Sequence, residues 1–155
     1  MAIKKTTDPV KSLKQLVDEN NELKKKIESL EAKQLVVIKN ELLNKVQIIN
    51  GISFIGEILE VSNADALKKL SFDLKASLNN YITVLAANIE GKAAVAVSMD
   101  DNSIVAKNID APKIIKEYVA PLIKGGGGGQ KTLATAGGQD AGNLQQVIEK
   151  VKGLL

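Results

Sequence analysis

Apolar residues recur every three or four positions from Val10 to about Leu43, with no glycine or proline after Pro9 to interrupt them. That period is helical. Leu13, Leu16, Asn20, Leu23, Ile27, Leu30, Gln34 and Val37 make a heptad seam, with Leu13, Asn20, Ile27 and Gln34 at its first core position. Asp8-Pro9 reads as an N-cap followed by a first helical residue. Such a helix runs roughly 50 Å at 1.5 Å per residue. It cannot bury its stripe on itself, so it calls for a partner: a neighbouring helix of a larger protein, or a second copy in a coiled coil. Asn20 fixes register in either case, at some cost in stability.

Near Asn44 the period changes. Val46 and Ile48, then Ile52, Phe54, Ile55, Ile58 and Leu59, predict two short strands around Asn50-Gly51, a tight hairpin pair. Ser62 to Asp65 carries capping chemistry, with Ser62 and Asp65 spaced as a capping box. The helix it opens is expected to reach Asn79, with Leu67, Leu70, Leu74 and Leu78 on one face. Tyr81–Asn88 and Lys92–Ser98 are apolar strands around Glu90-Gly91, followed by a polar loop at Asp100–Asn102 and a third strand at Ile104–Ala106. Asp110-Ala111-Pro112 starts another helix, which Pro121 is expected to kink. After the glycines from Gly125 to Gly129 comes a short strand over Lys131–Ala136, which Gly137-Gly138 breaks. Asp140 or Asn143 then caps a last helix running through Leu155. The expected fold class is α/β (α+β): a coiled-coil-like helical arm over 1–45, then a two-layer domain over 46–155. In that domain a mixed β-sheet is covered by helices on one face.

Composition removes most catalytic chemistry. The 155 residues include no cysteine and no histidine. Thiolate nucleophiles, thiolate zinc sites and disulfides are therefore excluded, as is the usual general base near neutral pH. No cofactor is expected in this segment. Every basic residue is a lysine; the arm holds ten lysines against seven acids, and 46–155 holds eleven of each. This distribution permits RNA contact without demanding it. Aromatics are 3%, namely Phe54, Phe72, Tyr81 and Tyr118, and both phenylalanines stand in apolar contexts, which counts against stacking of single-stranded bases. No stretch approaches a membrane span and no secretory leader is visible, so a cytoplasmic protein is expected, and Met1-Ala2 before helical text reads as the start of a fragment.

The run Gly125–Gly138, GGGGGQKTLATAGG, admits three readings. As a flexible linker it would isolate a tail too short to fold alone. As a phosphate-binding P-loop it fails at Gln130, where a second glycine is required, and it follows a helix rather than a strand. Thirdly, it resembles the glycine segment of the DHHA1 domain with its Ala-x-Ala-Gly-Gly sequel, here Ala134, Ala136, Gly137 and Gly138. The heptad helix upstream and the strand-rich middle match that family as well. Alanyl-tRNA synthetases usually carry Arg-Pro where this chain has Gln130-Lys131.

The resemblance implies a C-terminal module of an alanyl-tRNA synthetase. It would hold tRNA for aminoacylation and editing performed elsewhere in the parent protein, and it could form a homodimer through the arm. It also implies an RNA-binding surface at Lys124, Gly125, Gly126, Gly127, Gly128, Gly129, Gln130 and Lys131. Lys124 and Lys131 supply phosphate charge in that reading; in the plainer one they are a solvated pair. The alternative is an accessory domain of a DHH-family phosphoesterase, in which a histidine typically follows the glycines. A purely structural oligomerisation module is a third class. A zinc-type editing domain encoded upstream would decide for the synthetase.

Overall fold

The computed structural model describes residues 9–61 and 63–155, so the expected caps at Asp8 and Ser62 lie outside the described residues. The chain divides between Ile38 and Lys39 into two units. The first holds most of α1 (Pro9–Asn44). Leu13, Leu16, Leu23, Ile27 and Leu30 of its heptad seam are each more than half exposed.

In the second unit, β1 (Gln47–Ile49) and β2 (Ile52–Leu59) form the expected hairpin. Asn50 and Gly51 take φ of 51° and 81°, the left-handed pair whose twist suits a two-residue turn. Next, α2 (Ala64–Lys75) crosses to β3 (Tyr81–Ile89), which runs parallel to β2. A second turn at Glu90-Gly91 returns the chain antiparallel as β4 (Lys92–Met99). Then follow α3 (Asp101–Lys107), α4 (Ala111–Ile114), a π turn (Ile115–Val119) and α5 (Ala120–Ile123), and finally β5 (Gly125–Gln130), β6 (Leu133–Gly138) and α6 (Leu144–Lys152). The six strands make one mixed sheet in the order β1-β2-β3-β4-β6-β5.

Helices cover both faces of the sheet, not one. On the first face Ile82, Val84, Val95 and Val97 pack with Ile114, Ile115, Val119 and Val147 of the C-terminal helices. Side chains alternate along a strand. Tyr81, Thr83 and Leu85 therefore face the other way, where α2 lies against β3 and β4 with Leu67, Leu70 and Leu74 buried. The reason is legible in β3, which is buried at every position from Tyr81 to Ala87: an unbroken apolar run needs cover on both sides. Between the layers Thr83 and Ser98, cross-strand partners, satisfy each other by a 2.7 Å hydroxyl bond.

Several local expectations are corrected by hydrogen bonding. Ile104–Ala106 is helix, not strand, because the Asp100 carboxylate accepts from the Ser103 N–H and caps α3. Asn63 caps α2 through Ala66, and that helix stops at Lys75 rather than Asn79. Pro121 does not simply kink its helix. The chain widens into the π turn just before it, where the Ala120 N–H reaches back to the Ile115 carbonyl. Asp140 accepts from the Gly142 N–H, while Asn143 stands at the N-cap position of α6 and donates to the Leu122 carbonyl; α6 ends at Lys152, short of Leu155. Among the described residues no helix is long and apolar enough to cross a membrane.

Candidate nucleic-acid interface

The glycine run is not a loop. Gly125–Gln130 is the edge strand β5, paired antiparallel with β6, and Gly137-Gly138 continues β6 instead of breaking it. The missing side chains explain the pairing. A Cβ on Gly125 would stand 2.0 Å from the Gly137 carbonyl oxygen, and one on Gly127 would stand 2.0 Å from that of Thr135. At Gly126 and Gly128 a Cβ would meet nothing within 4 Å. Odd-numbered glycines thus permit close approach to β6, and the even-numbered ones leave bare backbone facing solvent. All six residues of β5 are exposed.

Lys124 ends α5 in a left-handed conformation with φ of 53°, its N–H donating to the Ala120 carbonyl. Lys131 sits in the turn between β5 and β6, and its carbonyl accepts from the Ala111 N–H at 3.0 Å. Both lysines are exposed. They stand at opposite ends of β5, about 23 Å apart at 3.3 Å per residue, too far apart for one phosphate to bridge. Ala134 and Ala136 are buried in the core and belong to packing. Gly138 does too, since a Cβ there would lie 2.2 Å from the Ile123 carbonyl oxygen.

A groove that the sequence did not announce lies between α2 and the β5–β6 hairpin. Its outer lobe, of about 210 Å³, is lined by Lys68, Phe72, Gly128, Gly129, Gln130, Leu133 and Thr135. A smaller recess of about 30 Å³ adjoins it, lined among others by Phe72, Lys75, Tyr81, Ser98 and Gln130. Phe54 is in the core as its context indicates, but Phe72 is 54% exposed, which corrects the expectation for that residue. The signal was helical phase: Phe72 stands roughly 200° round from the buried Leu70 at 100° per residue. Lys68 and Lys75, four before it and three after, share its side of the helix.

Tyr81 is 1% exposed and its hydroxyl has no hydrogen bond. Burial pushes this phenol above its ordinary value; the nearby Ser98 hydroxyl opposes the shift, and the charges of Asp100 and Asp101 add to it. The Ser98 hydroxyl, paired with Thr83, keeps a lone pair toward the Tyr81 phenol, but no hydrogen bond of good geometry forms between them. At the end of the same strands, Asp100 accepts from the N–H groups of Asn80 at 2.8 Å and Ser103 at 3.0 Å. Burial pushes its carboxyl up, but the bonds from Ser103, Asn80 and Tyr81 outweigh that and hold it below the ordinary value. Among the described residues no group of three or more Asp and Glu side chains is placed to hold a metal ion.

The family model of the DHHA1 domain matches residues 51–155. Along 153 residues the chain is 36% identical to the alanine–tRNA ligase of Cytophaga hutchinsonii, covering 99% of this chain and 17% of that protein. With the alanine–tRNA ligase of Bacteroides fragilis it shares 34% over 146 residues, 94% of this chain and 16% of that one. The chain therefore spans about a sixth of the length of these curated relatives. Among solved structures, the C-Ala domain from Aquifex aeolicus alanyl-tRNA synthetase superposes with a TM-score of 0.63 at 19% identity. It covers 71% of this chain and 96% of its own, a likeness of fold.

Proposed function

Because the chain belongs to the DHHA1 domain family, we propose that it is the tRNA-holding module of a cytoplasmic alanine–tRNA ligase, with aminoacylation and editing performed by other domains of the same protein. One observation carries this reading. The similarity to alanine–tRNA ligases runs through 99% of the chain, so it takes in α1 as well as the domain that follows it in sequence.

The geometry supports holding rather than reacting. Folded RNA is recognised by shape, through phosphates, 2′-hydroxyls and flat surfaces, more than by base sequence. An exposed strand without side chains offers backbone groups at close range, and the cations at its ends, Lys124 and Lys131, add phosphate charge. Lysine acts there as a point charge, since no arginine is present to supply a bidentate fork. The exposed heptad stripe of α1 supports a second role, pairing two copies of the protein.

Fluorescence anisotropy with labelled tRNA at two or more salt concentrations tests the reading. Binding should weaken as salt rises and differ little among tRNA species. Replacing both Lys124 and Lys131 with alanine should flatten the slope of log K against log salt by roughly 0.7–0.9 for each phosphate that is no longer neutralised. A folded sample that fails to bind, or binds regardless of salt, would leave only the oligomerisation role.

A further inference from the structure

We propose that the groove between α2 and the β5–β6 hairpin takes one unstacked RNA base with its phosphate, stacking the base on Phe72 and pairing the phosphate with Lys68. The proposal rests on the RNA-holding reading and names the nucleotide-sized ligand for that surface.

Phe72 is the first ground. A half-exposed ring at 54% forgoes burial that the core rewards, and it lines a groove whose other wall includes two glycines beside Gln130, Leu133 and Thr135. Bare backbone at Gly128 and Gly129 leaves a slot opposite the ring, and every base has a flat face to fill it. Size is the second. At about 210 Å³ the outer lobe is smaller than the roughly 300–1,000 Å³ of drug-sized ligand sites, the scale of a single planar heterocycle.

Charge is the third ground. Lys68 and Lys75 stand on either side of Phe72 along α2, and no carboxylate is among the residues that line either lobe. An anion attached to the stacked ring is thus favoured over a cation. The last ground is the recess. Tyr81 lines it with a buried hydroxyl that has no hydrogen bond of good geometry, and Gln130 lines both the recess and the outer lobe. A base reaching inward with an exocyclic amine or carbonyl would meet that hydroxyl, and Gln130 can present either a donor or an acceptor to the base edge. Arrangements that leave a buried hydroxyl unsatisfied are uncommon unless something else fills the gap.

The test uses the full chain, labelled with ¹⁵N, titrated with AMP, CMP, ribose 5-phosphate and inorganic phosphate. AMP and CMP should shift the amides of Gly128, Gly129 and Gln130, whereas the two probes without a base should not. In parallel, tRNA affinity is measured for wild type, Phe72→Leu, Phe72→Tyr and Gly128→Val. Phe72→Leu should weaken binding about tenfold, within the range for losing one base–aromatic stack, and Phe72→Tyr should hold it. Gly128→Val should weaken it by filling the slot, with circular dichroism confirming the fold of each variant. Salt-dependent tRNA binding indifferent to Phe72→Leu, with unmoved amides, would overturn the groove and spare the RNA-holding reading. Amide shifts with AMP from a protein that binds no tRNA would do the reverse.

Discussion

Alanine in place of Gly127 should destabilise the domain, while the same substitution one residue earlier, at Gly126, should not. The two positions share chemistry, exposure and strand, and differ in where a Cβ would go. At Gly127 it would lie 2.0 Å from the Thr135 carbonyl oxygen and 2.5 Å from the Ala136 Cα. The strand must retreat by about 1 Å, because both obstacles are backbone. That retreat strains the ladder around the Gly127↔Ala136 pair, where each hydrogen bond contributes about 1 kcal/mol net. Weakening two or three of them costs about 2–3 kcal/mol. At Gly126 no atom lies within 4 Å, and alanine narrows the unfolded chain's freedom, a gain of about 0.4–1 kcal/mol.

The expected gap between the two variants is therefore about 3 kcal/mol. Urea denaturation followed by circular dichroism reads it directly. With slopes of about 1–3 kcal/mol per molar urea, the midpoints should separate by about 1 M or more. Equal midpoints would show that the glycines do not lie packed against β6, and the account of β5 as a strand that needs bare backbone would fail.

Two further outcomes follow from particular side chains. Asp100 is held below its ordinary pKa, so its contribution is present above the unfolded value and is lost as pH falls through the folded one. Asp100→Asn keeps a capping oxygen for Ser103 but gives up the N–H bond from Asn80, so it should cost about 1 kcal/mol at neutral pH. It should also flatten the fall in stability below about pH 4, the unfolded carboxyl's range; superimposable pH curves for the two proteins would refute the role of Asp100. In α1, Asn20→Leu should raise or reorder self-association, since a polar residue that pairing would bury in the heptad seam limits it. Light scattering that finds a monomer before and after would remove the coiled-coil pairing.

Much of the fold was written in periodicity. α1, both two-residue hairpins and the strands β3 and β4 follow from apolar spacing and from Asn50-Gly51 and Glu90-Gly91, because local signals there agree with the tertiary outcome. Ile104–Ala106 went astray since three apolar residues carry no period, and a single capping bond from Asp100 decided the matter. The glycine run went astray for a different reason. Glycine weakens a strand by local preference, and only the neighbouring β6, seen in three dimensions, shows what a side chain there would strike. Of the groove, Gly128 to Gln130 stood among the expected surface residues, while Phe72 and Lys68 did not. Their helical phase was available, but the partner wall was not.

The position of α2 explains why the same helix can serve core and surface. Leu67, Leu70 and Leu74 commit one side to β3 and β4, which leaves the flank bearing Lys68, Phe72 and Lys75 beside the hairpin. A basic surface made of lysines alone lacks the planar fork with which arginine orients a phosphate. In the proposed mode orientation comes from shape, through two flat elements: the Phe72 ring on α2 and the bare backbone of β5. In the proposed RNA-holding surface, lysine charge governs the rate and salt dependence of association, while the ring and the glycines govern orientation and contact strength. Substituting the lysines should therefore change the salt dependence of binding, and substituting Phe72 should change its strength at every salt concentration.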